Sequence, residues 1–241
     1  MQTEYEILSR KIGRHFQKAL TSYKLLENGD KILVGLSGGK DSLLLLELLA
    51  KRSKINFPKF TVEALHVRMK NVNYESDSSY LEKFSEDLGV KLHIKTTEFD
   101  SSTDKRKSPC FLCSWYRRKV LFNFAQENSF NKIALGHHQD DIINTALMNL
   151  TFQGHFSSMP ASLKMKKMPI TIIRPLCLIQ EKDIKKFSEF SHYEKQIKLC
   201  PFEHDSHRES IKELFKSIEE MNPEARYSIW HALDSANLLI E

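Results

Sequence analysis

KILVGLSGGKDSLLLLELLA, the stretch from Lys31 to Ala50, decides the fold. Ile32–Leu36 is a short apolar run with β-branched residues, the composition of a strand buried on both faces. Ser37, Gly38 and Gly39 turn the chain sharply. From Ser42 the residues are good helix formers and are apolar on nearly every face. A tight turn into a helix leaves unpaired N–H groups at the positive end of the helix dipole. Glycines in such a turn let an anion approach the backbone, so the junction reads as a phosphate site.

The spacing excludes a Walker A loop, which requires G-x-x-x-x-G-K-[ST]. Gly35 and Gly39 are one residue too close, and Asp41 follows Lys40. A bare glycine βα turn with a Ser/Asp helix cap is the plain reading. SGGKDS in this strand–helix context resembles the pyrophosphate-binding loop of the PP-loop ATP pyrophosphatases. That resemblance implies ATP, cleaved between its α and β phosphates, bound by Ser37, Gly38, Gly39, Lys40, Asp41 and Ser42.

Walking outward, Met1–Asn28 reads as a helix with Ile7, Ile12, Phe16, Leu20 and Tyr23 on one face. Phe60–Met69 is a second strand, Ser78–Leu88 a helix stopped by Gly89, and Lys91–Phe99 a third strand. Asp100–Pro109 is a polar, basic loop. Cys110–Asn128 is helical, Lys132–Gly136 is a fourth strand and Asp141–Phe152 another helix. Thr171–Arg174 is a last strand, with helices expected over Lys182–Phe190 and Ser210–Met221. Alternating strands and helices predict an α/β fold, a doubly wound and mostly parallel sheet with a short helical C-terminal extension. We divide the chain at 1–28, 29–190 and 191–241: a helical segment, the nucleotide domain and the extension. Ligands of such sheets bind at the carboxyl ends of the strands. Ser37–Ser42, His66, the Cys110 region and Gly136–Asp141 all follow strand ends.

At 241 residues with 41% hydrophobic content the chain can bury a sizeable core. No apolar run approaches the roughly 20 residues of a membrane span. The N-terminus mixes both charge signs and lacks a signal-peptide core, which implies a cytoplasmic chain without membrane attachment. A net charge of +5 only mildly favours a polyanionic partner. Its distribution says more, with basic clusters at Lys105–Lys107, Arg117–Lys119 and Lys164–Lys167 expected around the site.

Four cysteines in a reducing compartment suggest metal or redox chemistry rather than disulfides. Cys110 and Cys113 form PCFLC, and Cys200 lies in KLCPFEH. Three readings stand side by side: a redox C-x-x-C, a zinc site of Cys110, Cys113, Cys200 and His204, or an iron–sulfur cluster on three cysteines. Cys177, in apolar RPLCL, reads as core.

PCFLCSWYRRKVLF, GHHQDDIINTALMNL, IIRPL, the LC at Cys200 and MNPEARYSIWHAL together resemble the tRNA 2-thiocytidine synthetase (TtcA-type) family. The resemblance runs with gaps from about Gly29 to Ala232. It implies a [4Fe-4S] cluster on Cys110, Cys113 and Cys200, whose free iron carries the sulfur. It also implies a tRNA substrate read in the anticodon loop, a sulfur donor such as a cysteine desulfurase, and a homodimer. The paired C-x-x-C zinc motifs of the related tRNA thiouridine synthetases are absent from the sequence.

GHHQDD follows the fourth strand, and a plain reading makes its aspartates helix caps and its histidines turn filler. ATP cleavage needs Mg²⁺ on carboxylates and phosphates, and Asp41 and Asp141 are the candidates to hold it. Lys40, Asp41, Asp140 and Asp141 form the expected catalytic set, with Gly136 in the wall. The resemblance puts His66 against adenosine.

The expected function is an ATP-dependent tRNA sulfurtransferase: a cytidine C2 oxygen takes AMP, pyrophosphate leaves, and sulfur replaces the activated oxygen. The runner-up is a PP-loop pyrophosphatase acting on another tRNA base or a small molecule, with the cysteines on structural zinc. A nucleotide- and metal-binding module without turnover is the reading from outside the enzymes.

Overall fold

The computed structural model describes residues 2–70, 73–74, 78–99, 108–194, 198–199 and 207–241. Cys200, His204, the Lys105–Lys107 cluster and most of the expected 100–109 loop lie outside the described residues. The elements in chain order are α1 (Glu4–Ser22), β1 (Lys31–Gly35), α2 (Lys40–Ser53), β2 (Thr61–Met69), β3 (Asn73–Tyr74), α3 (Ser79–Leu88), β4 (Lys91–Thr97) and α4 (Pro109–Glu127). They continue with β5 (Lys132–Ala134), α5 (Gln139–Gln153), β6 (Ser162–Lys164), β7 (Thr171–Ile173), α6 (Glu181–Phe190), β8 (Lys198–Leu199), α7 (His207–Met221) and α8 (Ala225–Ser235).

Six strands form one sheet in the order β4-β2-β1-β5-β7-β6, and β3 pairs with β8 in a separate ribbon. β1 pairs in parallel with β2 on one side and β5 on the other, with Val34 opposite Ala64 and Ala134. Within the six-stranded sheet only β6 runs antiparallel, in a hairpin with β7. The chain fills the sheet outward from β1 in one direction, then returns to place β5 on its other side. That reversal is the topological switch point, where a crevice opens between the two outgoing loops.

Helices cover both faces, as a parallel sheet requires. On one face Ile32, Val34, Ala64 and Ala134 pack with α1, α2 and α6. The other face, with Leu33, Leu65 and Ile133, packs on Leu121, Phe124 and Ala125 of α4. α2 lies between sheet and outer helices, so Leu43, Leu44, Leu45, Leu46 and Leu49 are all fully buried. That explains why its sequence is apolar on nearly every face. α1 is opened by a capping box between Thr3 and Glu6. It stops at Ser22, earlier than the pattern to Asn28 suggests, and leads into a turn whose Asp30 is anchored.

Asp30 fixes the far end of the sheet. Its carboxylate accepts from the Glu27 N–H at 2.6 Å and from Asn131 Nδ2 at 2.8 Å, and pairs with Lys132 Nζ at 2.8 Å. Lys132 also donates to the Leu25 carbonyl at 3.0 Å. Both side chains are almost fully buried, so neither charge can turn to water if the other is removed. Among the described residues no helix is long and apolar enough to cross a membrane.

Asp30→Ala is expected to destabilise the chain by about 3–5 kcal/mol, the cost of an uncompensated buried charge. Urea unfolding measures it; a loss below about 1 kcal/mol would mean that Lys132 finds another partner.

Candidate active site

The first loop is built as the sequence leads one to expect. Leu36 N–H donates to the Leu65 carbonyl at 2.9 Å, carrying strand pairing one residue past β1. Gly38 then takes φ of +82°, a left-handed conformation that a side chain resists. Ser42 Oγ ties the turn together: it donates to the Gly39 carbonyl at 2.9 Å, accepts the Ser37 N–H at 3.2 Å and lies 3.1 Å from Ser37 Oγ. Gly39 is the N-cap of α2 and supplies no side-chain acceptor. The first N–H groups of that helix therefore stay available to an anion.

His66, at the end of β2, has Nδ1 2.7 Å from the Leu36 carbonyl and is buried. It braces the loop from beneath. Beside it opens a cleft of about 140 Å³ lined by Leu36, Ser37, His66, Val67, Arg117 and Arg118, among others. Its walls are mainly apolar side chains at the carboxyl ends of β1 and β2, with Arg117 and Arg118 contributed by α4. Such a slot takes a flat, partly polar ring.

The second loop presses on the first. A Cβ built on Gly136 would lie 3.1 Å from Asp41 C and from Ser42 N. Only glycine lets the loop after β5 touch the first turn of α2. Beyond it His138 N–H donates to Asp141 Oδ2 at 3.0 Å, closing the start of α5. The buried His138 ring lies among three carboxylates, with Nε2 3.9 Å from Asp41 and 3.5 Å from Asp141, and Nδ1 3.7 Å from Asp140. Asp41 and Asp141 thus face one small volume, both partly exposed.

Lys40 leans the other way. Its Nζ lies 3.1 Å from Asp41 and 3.1 Å from Glu181, the first residue of α6. Burial alone would lower its pKa, but the two carboxylates outweigh it and hold the ammonium above its usual value. Glu181 also pairs with Lys212 of α7 at 3.2 Å. Burial would raise its pKa; Lys40 and Lys212 prevail and hold the carboxyl below its usual value.

Asp140 serves the frame rather than the crevice. Its Oδ2 accepts the Glu181 N–H at 2.7 Å, and its Oδ1 pairs with Arg226 of α8 at 2.9 Å. Arg226 in turn grips Glu219 of α7 with two hydrogen bonds, at 2.9 and 3.0 Å, and lies over the Phe215 ring. Glu181, beside Lys40, and Arg226, behind Asp140, belong to the candidate site's surroundings and have no local signal in the sequence. With the start of α6 expected at Lys182, Glu181 falls outside a helix. Arg226 stands inside MNPEARYSIWHAL, where only a carboxylate partner far along the chain would mark it. Arg174 is buried, donates to the Pro160 carbonyl and reaches His137 Nδ1 at 3.3 Å; burial pushes its pKa down to about 10.

Cys110 sits in the first turn of α4 and Cys113 at the start of the second, Cys110 exposed and Cys113 half-buried. Ser108 caps that helix by accepting the Phe111 N–H. One turn beyond Cys113, Arg117 lines the cleft beside the first loop, so the cysteine helix and the loop share a wall. Two thiols a turn apart at a helix N-terminus are suited to thiolate ligation of a cluster or a zinc ion. Among the described residues no group of three or more His, Cys, Asp or Glu side chains is set to hold a metal ion. A magnesium ion at Asp41 and Asp141 would complete its shell with phosphate oxygens and water. Cys177 is fully buried, and burial pushes its thiol up to about 12, the behaviour of an inert core residue. The Lys164–Lys167 cluster does not join the site: Lys164 pairs with Thr171, at the start of β7, on the opposite end of the sheet.

Two outcomes check this geometry. Gly136→Ala is expected to push the two loops apart and weaken ATP binding at least tenfold in titration calorimetry, with the fold retained. Glu181→Gln is expected to cost on the order of 1 kcal/mol at pH 7, since the pair belongs to a charged network. Because the Glu181 value is depressed, that contribution is present above the unfolded value near 4.5 and is lost as pH falls through the folded one. The gap between wild type and variant in thermal melts should therefore close at acid pH.

A PP-loop domain model matches residues 6–197. The chain is 36% identical over 233 residues to tRNA-cytidine(32) 2-sulfurtransferase 1 of Francisella tularensis subsp. novicida, covering 95% of this chain and 86% of the relative. It is 35% identical over 226 residues to tRNA-cytidine(32) 2-sulfurtransferase of Bdellovibrio bacteriovorus, covering 92% of this chain and 86% of that one. Among solved structures, the U34-tRNA thiolase NcsA from Methanococcus maripaludis with its [4Fe-4S] cluster superposes with a TM-score of 0.79 at 28% identity. The overlap takes in 96% of this chain and 79% of that structure. With a nucleotide loop at the switch point, a C-x-x-C helix beside it and these relatives along nearly its whole length, the chain belongs to the tRNA 2-thiocytidine synthetase branch of the PP-loop family.

Proposed function

We propose that this chain is an ATP-dependent tRNA sulfurtransferase that replaces the C2 oxygen of an anticodon-loop cytidine by sulfur, cytidine 32 being the base in its relatives' names. The observation that carries the reading is the shared wall: Arg117, one turn after Cys113, lines the same cleft as Ser37 and His66. Adenylation and sulfur delivery must meet at one base carbon, so the two elements have to be neighbours.

ATP lies with adenosine in the slot over His66 and Val67 and its pyrophosphate on the N-terminus of α2. The base oxygen bonds to the α-phosphorus as the bond to the β-phosphate oxygen breaks. Pyrophosphate departs with negative charge that Lys40 and the loop N–H groups stabilise; Asp41 and Asp141 would hold a magnesium ion, which would supply further charge neutralisation there. Lys40 is released from Glu181 to do this, and exchanges one anionic partner for another. Sulfur then takes the C2 position, and AMP leaves with the former base oxygen. Cys110, Cys113 and Cys200 would hold the [4Fe-4S] cluster, whose chemistry would be to supply the sulfur. Asp140 acts through position, joining α5 to α6 and α8. The target base must be unstacked, which suits a loop, and the exposed Trp115 on the cysteine helix offers a stacking face. A cysteine desulfurase-type donor, a homodimeric assembly and a cytoplasmic setting go with this reading.

The test is reconstitution without oxygen, with a tRNA transcript, ATP, magnesium and sulfide. Mass spectrometry of nucleosides should find 2-thiocytidine, with AMP and pyrophosphate formed alongside. Iron and labile sulfide should approach four each per chain, as a [4Fe-4S] cluster requires. Zinc near one per chain with no labile sulfide would overturn the sulfur half. Lys40→Ala should lower kcat by roughly 10²–10³, the usual loss of a charge-stabilising donor, with iron content unchanged. Cys113→Ala should do the reverse, losing iron while ATP still binds.

A further inference from the structure

Outside the crevice, α1 carries an unusual row of charge. Arg10, Arg14 and Lys18 stand at i, i+4 and i+8, all exposed. Among the described residues none of the three has an ion-pair or hydrogen-bond partner. Like charges at that spacing weaken a helix, so folding alone gives no reason for the row. Their neighbour His15 reports the local field. Burial lowers its pKa, and Lys11, Arg14 and Lys18 lower it further against a single opposing carboxylate, Asp183. That carboxylate is already paired with Lys11 at 2.8 Å.

Arg10 and Arg14 border a separate hollow on α1 with Ile7, Gly13 and Gln17. Lys18, the last cation of the row, and His15 line a cleft of about 620 Å³ between α1 and α8. Its far wall is aromatic. Tyr227, 67% exposed, lies parallel to His231 with ring centroids 6.0 Å apart and planes 2° apart. Its floor is closed by Trp230, whose Nε1 donates to Tyr23 Oη at 3.2 Å. Asp234 is the carboxylate on this lining. The cleft's inner end is formed by Gln139, Gln180 and Arg226. Gln180 precedes Glu181, a partner of Lys40, and Gln139 precedes Asp140, which joins the frame behind the crevice and is held by Arg226. The groove therefore runs from Lys18, at the end of the charged ridge, to the back of the candidate site.

We propose that the exposed α1 ridge and the α1–α8 groove it meets at Lys18 together form a binding track for a strand of the tRNA substrate, with phosphates along Arg10, Arg14 and Lys18 and a base on Tyr227 in the groove. The inference rests on the sulfurtransferase reading and adds to it a surface on a helix remote from the nucleotide loop. Successive cations are roughly 6 Å apart along the axis, close to the step between phosphates of an extended strand. A flat exposed ring beside such a row is the usual arrangement for sequence-tolerant binding of unpaired nucleotides. The row of cations repels a basic partner, and the aromatic wall distinguishes the site from a simple polyanion face.

The experiment measures binding of an unmodified tRNA transcript, by fluorescence anisotropy at several salt concentrations, to the full chain. The triple variant R10E/R14E/K18E is expected to raise Kd at least tenfold and to lower the salt slope by about two, near 0.7 for each phosphate no longer neutralised. Binding of a fluorescent ATP analogue should stay at the wild-type level. Tyr227→Ala should weaken tRNA binding severalfold with the slope unchanged. The neutral variant R10Q/R14Q/K18Q, milder for the fold, should fall between. Wild-type Kd and slope in both triple variants would overturn the proposal and leave the sulfurtransferase reading intact. Wild-type protein that binds tRNA no better than heparin would overturn both. Equal losses for heparin and tRNA with a silent Tyr227→Ala would reduce the groove to a non-specific anion face and overturn the track.

Discussion

The close approach of two backbones at the switch point governs this molecule. Gly136 lets the loop after β5 lie within van der Waals contact of Asp41 and Ser42, at the first turn of α2. Because β1 and β5 are adjacent, with Val34 beside Ala134, the loops leaving them must meet. Which residues meet there is then a matter of sequence. The β1 loop brings helix N–H groups and Lys40; the β5 loop brings His138, Asp140 and Asp141. A side chain at 136 would separate donors from carboxylates by the width of a methyl group, and an anion-plus-metal site needs both within one coordination shell.

Charge is distributed unequally between the two ends of the sheet, and the difference is physical. At the amino end, Asp30 and Lys132 form a dry pair whose hydrogen bonds are complete, so it holds shape and has no capacity to exchange partners. At the carboxyl end, Lys40, Glu181 and Lys212 are partly open to water, and Lys40 and Glu181 each have two opposite charges in reach. Pairs of that kind contribute little to stability but swap partners at little cost. A phosphate arriving at Lys40 displaces one anion with another.

The parallel sheet and the nucleotide loop are legible in the sequence because both depend on short-range rules. Ile32–Leu36 has to be a buried strand, and SGGKDS has to turn into a helix. Other features depend on neighbours remote in sequence. β6 and β7 are three residues each and exist as a hairpin because β5 offers an edge. α8 is only weakly amphipathic and is held by Arg226, Trp230 and Leu233 against partners from α5, α7 and the turn after α1. The Lys40–Glu181 contact spans 141 positions, and nothing local to either residue announces it. The basic cluster Lys164–Lys167 shows the opposite error. Charge alone groups it with the site, and an antiparallel register carries it to the far end of the sheet.

The C-terminal helices are tied to the catalytic edge by side chains, Lys212 to Glu181 and Arg226 to Asp140. Glu181 is shared between Lys40 and Lys212, so any ligand that takes Lys40 changes the charge that Lys212 faces. By linkage the dependence runs both ways: whatever shifts α7 alters how readily Lys40 leaves Glu181. α7 begins a few residues after Cys200 in the sequence. In a two-stage reaction this is a sensible place for shared charge. Lys40 at the first loop and Lys212 of α7 are then balanced against one carboxylate, and neither element has to be rebuilt for the other to move.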